Sequence, residues 1–321
     1  MTDPVGRRGT RWAALWIMTM LVLLVVAIAS SDTRRLLGEA ADNIRLSAVM
    51  ATLPGQLAAT LLCAAALWAL RPGVSFAASL GSRLLRDAGG NLLVFMPGLG
   101  EIIGARALVL GGGRTRAAVT ASVLDTLAET LAQVPYGVLA VLVLPRLWRR
   151  ATAADLPLFG IASVLIGLAA MALLAVLLSR NTQSAAGRLR QRIEAELALL
   201  RAEIGRQRTG LPAAVALHFV AWAMGGVQLW MAGSAMGLPL TLFAALVMES
   251  AAYAGRAVLF FIPAGLAVQE AGLIVAGLAY GLTPAQSLAL GLVLRLRDLL
   301  FGLPLLAWPL YEFRHRRRAG A

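Results

Sequence analysis

Residues 261–270 read Phe-Ile-Pro-Ala-Gly-Leu-Ala-Val-Gln-Glu and interrupt a long apolar segment, 240–281. Residues 95–101, Phe-Met-Pro-Gly-Leu-Gly-Glu, interrupt a second apolar segment, 74–111, in the same way. Proline removes a backbone hydrogen-bond donor, and glycine permits a bend. Such a break is tolerated at membrane depth only where protein or a water-filled cavity satisfies the freed backbone groups. We therefore expect both segments to fold as re-entrant helical hairpins, not as single straight helices.

The rest of the chain has the composition of an integral membrane protein. Of its 321 residues, 59% are hydrophobic and 14% are charged, whereas a soluble domain has about 45–50% apolar and 25% charged residues. A bilayer span needs about 20 residues. The sequence predicts an all-α, polytopic membrane protein, one integral membrane domain over 1–321, with about six full spans and the two hairpins. The predicted spans are 12–30, 46–70, 117–145, 156–179, 211–236 and 283–310.

Matching spacings predict an internal repeat. Glu129 follows Glu101 by 28 residues, and Asp298 follows Glu270 by the same 28 residues. Two further pairs keep the offset of 169 residues that relates Glu101 to Glu270, namely Pro135 with Pro304 and Gly112 with Gly281. We expect one repeat at 46–145 and a second at 211–310.

The distribution of charge predicts the topology. The 29 basic residues are all arginines, and they outnumber the 16 acidic residues, so the net charge of the chain is +13. Arginines concentrate on the cytoplasmic side of a membrane, and the basic regions here are the N-terminus, 71–86, 180–208 and the tail 314–318. All four lie inside if each hairpin dips into the membrane and returns. The two hairpins then enter from opposite sides, as an inverted repeat, and both termini are in the cytoplasm of a bacterial inner membrane. The loop expected at 146–150 does not fit, since it falls outside despite its three arginines.

The stretch 185–207 is the clearest amphipathic element. Leu189, Ile193 and Leu197 follow helical spacing, with arginine, glutamate and glutamine elsewhere. One interpretation is a helix on the cytoplasmic membrane surface, in contact with anionic lipid headgroups. A solvated linker helix between the two repeats is the alternative.

Ionisable residues within the apolar segments are the candidate site. Each costs about 2.5–3.5 kcal/mol on insertion scales, so such groups persist where they pair or line a wet path. Asp125 and Glu129 share one helix face, Glu249 and Arg256 share another, and Arg295 is followed three residues later by Asp298. The candidate substrate-binding residues are Glu101, Asp125, Glu129, Glu249, Arg256, Gln269, Glu270, Arg295 and Asp298.

These side chains suit the headgroup of a lipid. Arg256 and Arg295 can bind phosphate through two parallel hydrogen bonds, and the carboxylates can accept amine or hydroxyl groups. The alternative is a set of structural ion pairs that steady the broken helices.

Other chemistries lack support in the sequence. The two histidines and the single Cys63 lie far apart, so we expect no metal and no cofactor. A Gly-x-Ser-x-Gly motif is absent from the sequence, and His218, on an apolar face, is interpreted as a packing residue. The arginines are expected to face lipid rather than nucleic acid, because most of the chain is apolar.

The chain resembles the lysylphosphatidylglycerol synthase transmembrane family, and within it the membrane proteins associated with hopanoid biosynthesis. The resemblance covers about 15–311, and its most specific motif is Pro-x-Gly-Leu-x-x-Gln-Glu at 263–270. The sequence departs from the family pattern where Ala267 replaces a glycine and where Gly89-Gly90-Asn91 replaces a more amide-rich run. The stretches that carry the resemblance are 86–87, 100–106, 125–133, 218–222, 249–256, 261–270 and 295–298.

The resemblance implies the lipid-moving part of that family rather than the synthase, because the soluble domain of the synthases does not follow the membrane part here. We expect a flippase-like protein that translocates a polar or hopanoid-type lipid, or assists its transport, and that is not an enzyme. The alternatives are a membrane enzyme that transfers a group to a lipid, and a non-catalytic partner of lipid-biosynthesis proteins.

Overall fold

The computed structural model describes residues 31–71, 73–93, 98–152, 202, 204–205, 208–258, 265–310 and 312–313. All the regular structure within these residues is helical, which confirms the all-α prediction for the described part of the chain. The helices are α1 (Ser31–Asn43), α2 (Leu46–Ala69), α3 (Phe76–Leu92), α4 (Leu99–Leu110), α5 (Thr115–Thr152), α6 (Gly210–Ala235), α7 (Leu242–Val258), α8 (Gly265–Ala279) and α9 (Pro284–Gly302). A 3-10 helix, Leu303–Ala307, continues from α9.

Two of these helices, α2 and α6, are long and apolar enough to cross a membrane. They have 24 and 26 residues, against the roughly 20 that a span requires. They correspond to the predicted spans 46–70 and 211–236, and they pack side by side. The predicted spans 12–30 and 156–179, and most of the amphipathic stretch 185–207, lie outside the described residues.

Both broken segments form pairs of packed helices. In the first, α3 and α4 pack against each other, and Ser82 of α3 donates a hydrogen bond to the backbone oxygen of Gly104 of α4 at 2.8 Å. In the second, α7 packs against α8, and a Cβ atom on Gly272 would lie 2.9 Å from the Cα atom of Ala252. Each broken segment is therefore a pair of packed helices, while its re-entry into the membrane stays a prediction, and Pro97 and Pro263 lie outside the described residues.

The helix bounds repeat along the chain. Helix α4 ends at Leu110 and α8 at Ala279, and the next helices begin at Thr115 and Pro284, so both pairs are 169 residues apart. The glycines in the intervening turns, Gly112 and Gly281, have positive φ angles of 99° and 83°. Glycine adopts such angles without the steric cost that a side chain imposes. The same order of elements thus occurs twice: a long apolar helix, two packed helices and a further helix (α2 to α5, then α6 to α9). That the two halves are inverted relative to each other stays a prediction.

One boundary prediction was wrong, and one predicted span contains a change of helix type. The loop expected at 146–150 belongs to α5, which continues to Thr152. Arginine, leucine and alanine are good helix formers, and they outweigh Pro145 in this stretch. The span expected at 283–310 is not one α-helix, because α9 ends at Gly302 and the tighter 3-10 turns follow over Leu303–Ala307. Pro304 accounts for the change, since it cannot donate a backbone hydrogen bond.

Candidate functional site

A cavity of about 380 Å³ lies among the helices of both halves. Helices α2 to α5 line one side of it, and α6, α7 and α9 line the other. Among the described residues, its wall carries three arginines and five carboxylates, which are Arg83, Arg86, Arg297, Asp87, Glu101, Glu129, Glu249 and Asp298. The cavity is therefore polar and richer in negative than in positive groups.

The first group of charges, which we call the Arg83 cluster, joins α3 to α5. It comprises Arg83, Arg86, Asp87, Asp125 and Glu129. Arg83 binds Asp87 at 2.9 Å, Asp125 at 3.3 Å and Glu129 at 2.9 Å. Arg86 binds Asp125 and Glu129, each at 2.8 Å. Two arginines thus neutralise most of the charge of three carboxylates.

Helix α6 adds a histidine to the Arg83 cluster. His218 is fully buried, and its Nε2 atom lies 2.8 Å from Oδ1 of Asp125. Its Nδ1 atom has no hydrogen-bond partner among the described residues. One turn further along, the indole N–H of Trp222 donates to the backbone oxygen of Glu129 at 3.3 Å. His218 therefore has a polar role in the site in addition to packing, which differs from the sequence interpretation.

Asp125, Glu129 and His218 also have the spacing of a metal site, because one donor atom from each lies within 4.8 Å of the others. Both carboxylates, however, are already bound by Arg83 and Arg86. A cation would have to compete with two guanidinium groups for the same oxygens. The arrangement fits arginine better than a metal ion, and we assign no metal to it.

The second group of charges, the Arg295 cluster, joins α8 to α9 and comprises Gln269, Glu270, Arg295, Arg297 and Asp298. Arg295 binds Glu270 at 3.0 Å and donates to the Gln269 side-chain oxygen at 2.7 Å. Arg295 also lies 3.7 Å from Asp298, which Arg297 binds at 2.7 Å. Arg297 links this cluster to α6 by donating a hydrogen bond to the side chain of Gln228.

Glycines bring the helices close enough for these side chains to meet. A Cβ atom on Gly100 of α4 would lie 2.5 Å from the backbone oxygen of Arg86, and one on Gly104 would lie 2.9 Å from the Arg86 Cβ. On α2, a Cβ atom on Gly55 would lie 2.6 Å from Cγ of Gln228. Any larger residue would separate the helices that carry the charged groups.

Aromatic rings form another part of the wall. Trp222 meets Tyr253 edge to face, with ring centroids 4.5 Å apart. Tyr136, which is not a lining residue, lies near Trp222, with ring centroids 6.2 Å apart and planes inclined by 27°. Aromatic faces attract cations, so these rings and the carboxylates favour the same sign of charge in a ligand.

The structure brings most of the predicted site residues together around this cavity. Glu101, Glu129, Glu249 and Asp298 line it, and Asp125 lies behind the wall, in contact with Arg83 and Arg86. Gln269, Glu270 and Arg295 do not line the cavity but adjoin it through Asp298. Arg256 belongs to α7, and its side chain lies outside the described part of the structure.

The sequence reasoning missed Arg83 and Arg86 as site residues, since it placed 71–86 in a cytoplasmic basic stretch. The structure places both side chains inside the protein, since the Arg83 side chain is only 6% exposed and that of Arg86 only 13%, while the cytoplasmic location of 71–86 stays a prediction. The signal available was the spacing of Arg83, Arg86 and Asp87, at i, i+3 and i+4, which puts three charges on one helix face.

Comparison with known proteins yields one match. A family model described as the lysylphosphatidylglycerol synthase TM region matches residues 8–305, which is most of the chain. Neither curated proteins nor solved structures give a significant match. The family-level resemblance inferred from the motifs is thereby confirmed, and the association with hopanoids stays a prediction.

Proposed function

The chain belongs to the lysylphosphatidylglycerol synthase transmembrane region family, and from this we propose that it is a flippase-like protein of the bacterial inner membrane. Membership of this family makes the chain a membrane protein concerned with lipids. The proposed activity is movement of a lipid with a polar headgroup, of phospholipid or hopanoid type, from one leaflet to the other.

The observation that carries this proposal is the charged cavity between the two halves of the chain. Charged groups are costly within the hydrocarbon region and mark pathways for polar substrates. This cavity gathers eight charged residues, and each helical hairpin contributes at least one of them. A headgroup moving between leaflets needs such a wet, polar site at membrane depth.

The excess of carboxylates favours a headgroup that carries an amine. Within the part of the chain that the structure describes, five carboxylates and three arginines line the cavity, and these arginines are already bound to carboxylates. An ammonium group would reduce the excess of negative charge and could lie against Trp222 and Tyr253. The phosphate of the same headgroup could bind Arg86 or Arg297 only by displacing a carboxylate.

The repeated helix order supports an alternating mechanism. Two hairpins of opposite orientation could close the cavity towards one side and then towards the other. This requires both termini and residues 180–208 to face the cytoplasm. Reporter fusions at Gly320 and Thr182 should then both give cytoplasmic signals, and a periplasmic signal from Gly320 would overturn the inverted arrangement.

Leaflet-labelled lipids test the activity. The purified full chain is reconstituted into vesicles that contain a fluorescent lysylphosphatidylglycerol, phosphatidylglycerol or phosphatidylethanolamine, or a fluorescent hopanoid with an amine-bearing side chain. Dithionite then quenches the label in the outer leaflet. We expect vesicles with protein to lose the protected signal of amine-bearing lipids faster than protein-free vesicles do. Equal rates for every lipid would contradict the proposal.

Variants separate the cavity from the rest of the protein. Glu129→Gln and Asp298→Asn keep the side-chain shape and remove one charge each, so both should slow lipid movement. Glu39→Gln is the matched control, because Glu39 is exposed and its carboxylate pairs with Arg35 on its own helix, away from the cavity lining. Mass spectrometry of the recovered lipid addresses the alternative of a membrane enzyme, since a chemically altered headgroup would favour group transfer over transport.

A further inference from the structure

Glu249 differs from the other carboxylates of the cavity. Among the described residues, Asp87, Glu129 and Asp298 are each bound by an arginine within 3 Å, and Glu101 lies 3.6 Å from Arg86. Glu249 forms no such ion pair within that part of the chain, although it is 1% exposed. Its Oε2 atom also lacks a hydrogen-bond partner there. An ionised carboxylate in this position would be uncompensated.

Glu249 lies in the cavity wall beside a glycine and close to aromatic residues. Its carboxylate lies against the backbone of α6, where a Cβ atom on Gly225 would come within 2.8 Å of Oε1. Tyr253 follows Glu249 by four residues on α7, and its ring meets Trp222 at 4.5 Å. A small residue and two aromatic rings thus adjoin the carboxylate, and all four residues line the same cavity.

The arginines that face Glu249 from the neighbouring helices are already paired with other carboxylates. The charged and titratable groups facing this region are Glu129 and Tyr136 from α5, His218 from α6, Glu270 from α8, and Arg295, Arg297 and Asp298 from α9. Both arginines of α9 bind Asp298, and Arg295 also binds Glu270. Neutralising Glu249 therefore requires a proton or a cation from outside the described residues, because burial makes the charged form expensive.

We propose that Glu249 exchanges a proton for the amine of the lipid headgroup, so that lipid movement is coupled to proton movement in the opposite direction. The inference rests on the proposed transport function and adds that a proton gradient drives the transport. In the exchange, the O–H bond of the Glu249 carboxylic acid breaks and its proton passes to water in the cavity. The resulting carboxylate accepts a hydrogen bond from the ammonium group. One positive charge leaves the site and one enters, and the reverse exchange releases the lipid on the other side.

A pH gradient tests the coupling. The full chain is reconstituted into vesicles, a short-chain fluorescent lysylphosphatidylglycerol is added outside, and albumin extracts the outer-leaflet fraction after equilibration. Lysylphosphatidylglycerol carries two ammonium groups and one phosphate, so its exchange for one proton moves no net charge. An interior more acidic by one pH unit should raise the inner-to-outer ratio of the lipid by up to about tenfold. A membrane potential imposed with potassium and valinomycin should leave the ratio unchanged.

The outcomes distinguish this inference from the function on which it rests. Lipid movement that ignores the pH gradient would overturn the coupling and leave the transport function standing. A complete lack of lipid movement by the wild-type chain would overturn both. With Glu249→Gln, we expect the response to the gradient to be lost, whereas Glu39→Gln should respond as the wild-type chain does. A wild-type response from Glu249→Gln would remove Glu249 from the coupling.

Chemical labelling provides a readout that does not depend on a folded variant. Dicyclohexylcarbodiimide modifies protonated carboxyl groups in apolar surroundings. We expect it to label Glu249 of the wild-type chain and to spare Glu129, whose carboxylate is bound by Arg83 and Arg86. Adding lysylphosphatidylglycerol should reduce labelling of Glu249, and phosphatidylglycerol should not. Labelling that is absent, or that is equal with both lipids, would contradict the exchange.

Discussion

Substitution of Arg83 by glutamine removes the most connected side chain of the Arg83 cluster. Arg83 alone contacts all three of its carboxylates, with Asp87 and Glu129 at 2.9 Å and Asp125 at 3.3 Å. Glutamine can reach part of the same space but carries no charge. The variant therefore leaves three carboxylates with Arg86 as the remaining arginine among them.

The magnitude follows from burial. Removing one partner of a buried ion pair costs about 3–5 kcal/mol, because the remaining charge is left uncompensated. The Arg83 and Asp125 side chains are 6% and 1% exposed, which places the pair in that range. The Glu129 side chain is 21% exposed and keeps its contact with Arg86 at 2.8 Å, which reduces the loss. We therefore expect the variant to lose about 3 kcal/mol of stability.

This loss is measured as a change in melting temperature in one detergent. The folded fraction that remains after heating is determined by size-exclusion chromatography. Adding Glu129→Gln to Arg83→Gln should recover part of the loss, since couplings within a charged network reach about 0.5–3 kcal/mol. Arg35→Gln is the control, because its pair with Glu39 is exposed and screened by solvent, so the melting temperature of this variant should stay close to that of the wild-type chain. Equal melting temperatures for Arg83→Gln and Arg35→Gln, or strictly additive losses in the double variant, would refute the reasoning.

Two further substitutions probe the packing of the first hairpin and its contact with the C-terminal segment. Gly100→Ala places a Cβ atom 2.5 Å from the backbone oxygen of Arg86, so we expect a loss of about 1–3 kcal/mol. Gly81→Ala, on α3 with no atom within 4 Å of the new Cβ, should leave the same melting temperature unchanged or raise it. Arg106→Gln breaks a pair with Glu312 in which the arginine is 42% exposed, so its cost should stay below about 1 kcal/mol. A larger loss from Arg106→Gln than from Gly100→Ala would contradict both estimates.

The hairpins could be predicted because their signal is local. Proline and glycine beside a carboxylate, within an apolar segment, restrict the chain over a few residues, and the helix boundaries at Leu110 and Thr115 follow from nearby glycines. The same locality explains why Glu129 and Asp125 could be identified on one helix face. A fixed helical period relates such residues without any knowledge of the tertiary fold.

The partners of these residues could not be predicted. Arg83 lies 42 residues before Asp125 and 46 before Glu129, and no local rule fixes how α3 packs on α5. His218 lies 93 residues after Asp125, and a single histidine on an apolar helix gives no sign of a carboxylate opposite it. The difference in environment between Glu249 and Glu129 likewise depends on which helices deliver arginines to each of them.

Photocrosslinking of a lipid headgroup tests the central claim, that this cavity binds the headgroup of an amine-bearing lipid. Lysylphosphatidylglycerol with a diazirine on its headgroup is added to the reconstituted chain and irradiated, and the labelled peptides are identified by mass spectrometry. We predict labels within 218–228 and 249–253, which line the cavity, and a loss of labelling when unmodified lysylphosphatidylglycerol is added. Labels confined to outward-facing side chains such as Val134 and Leu142, which are 61% and 73% exposed, and unaffected by the competitor, would contradict the claim.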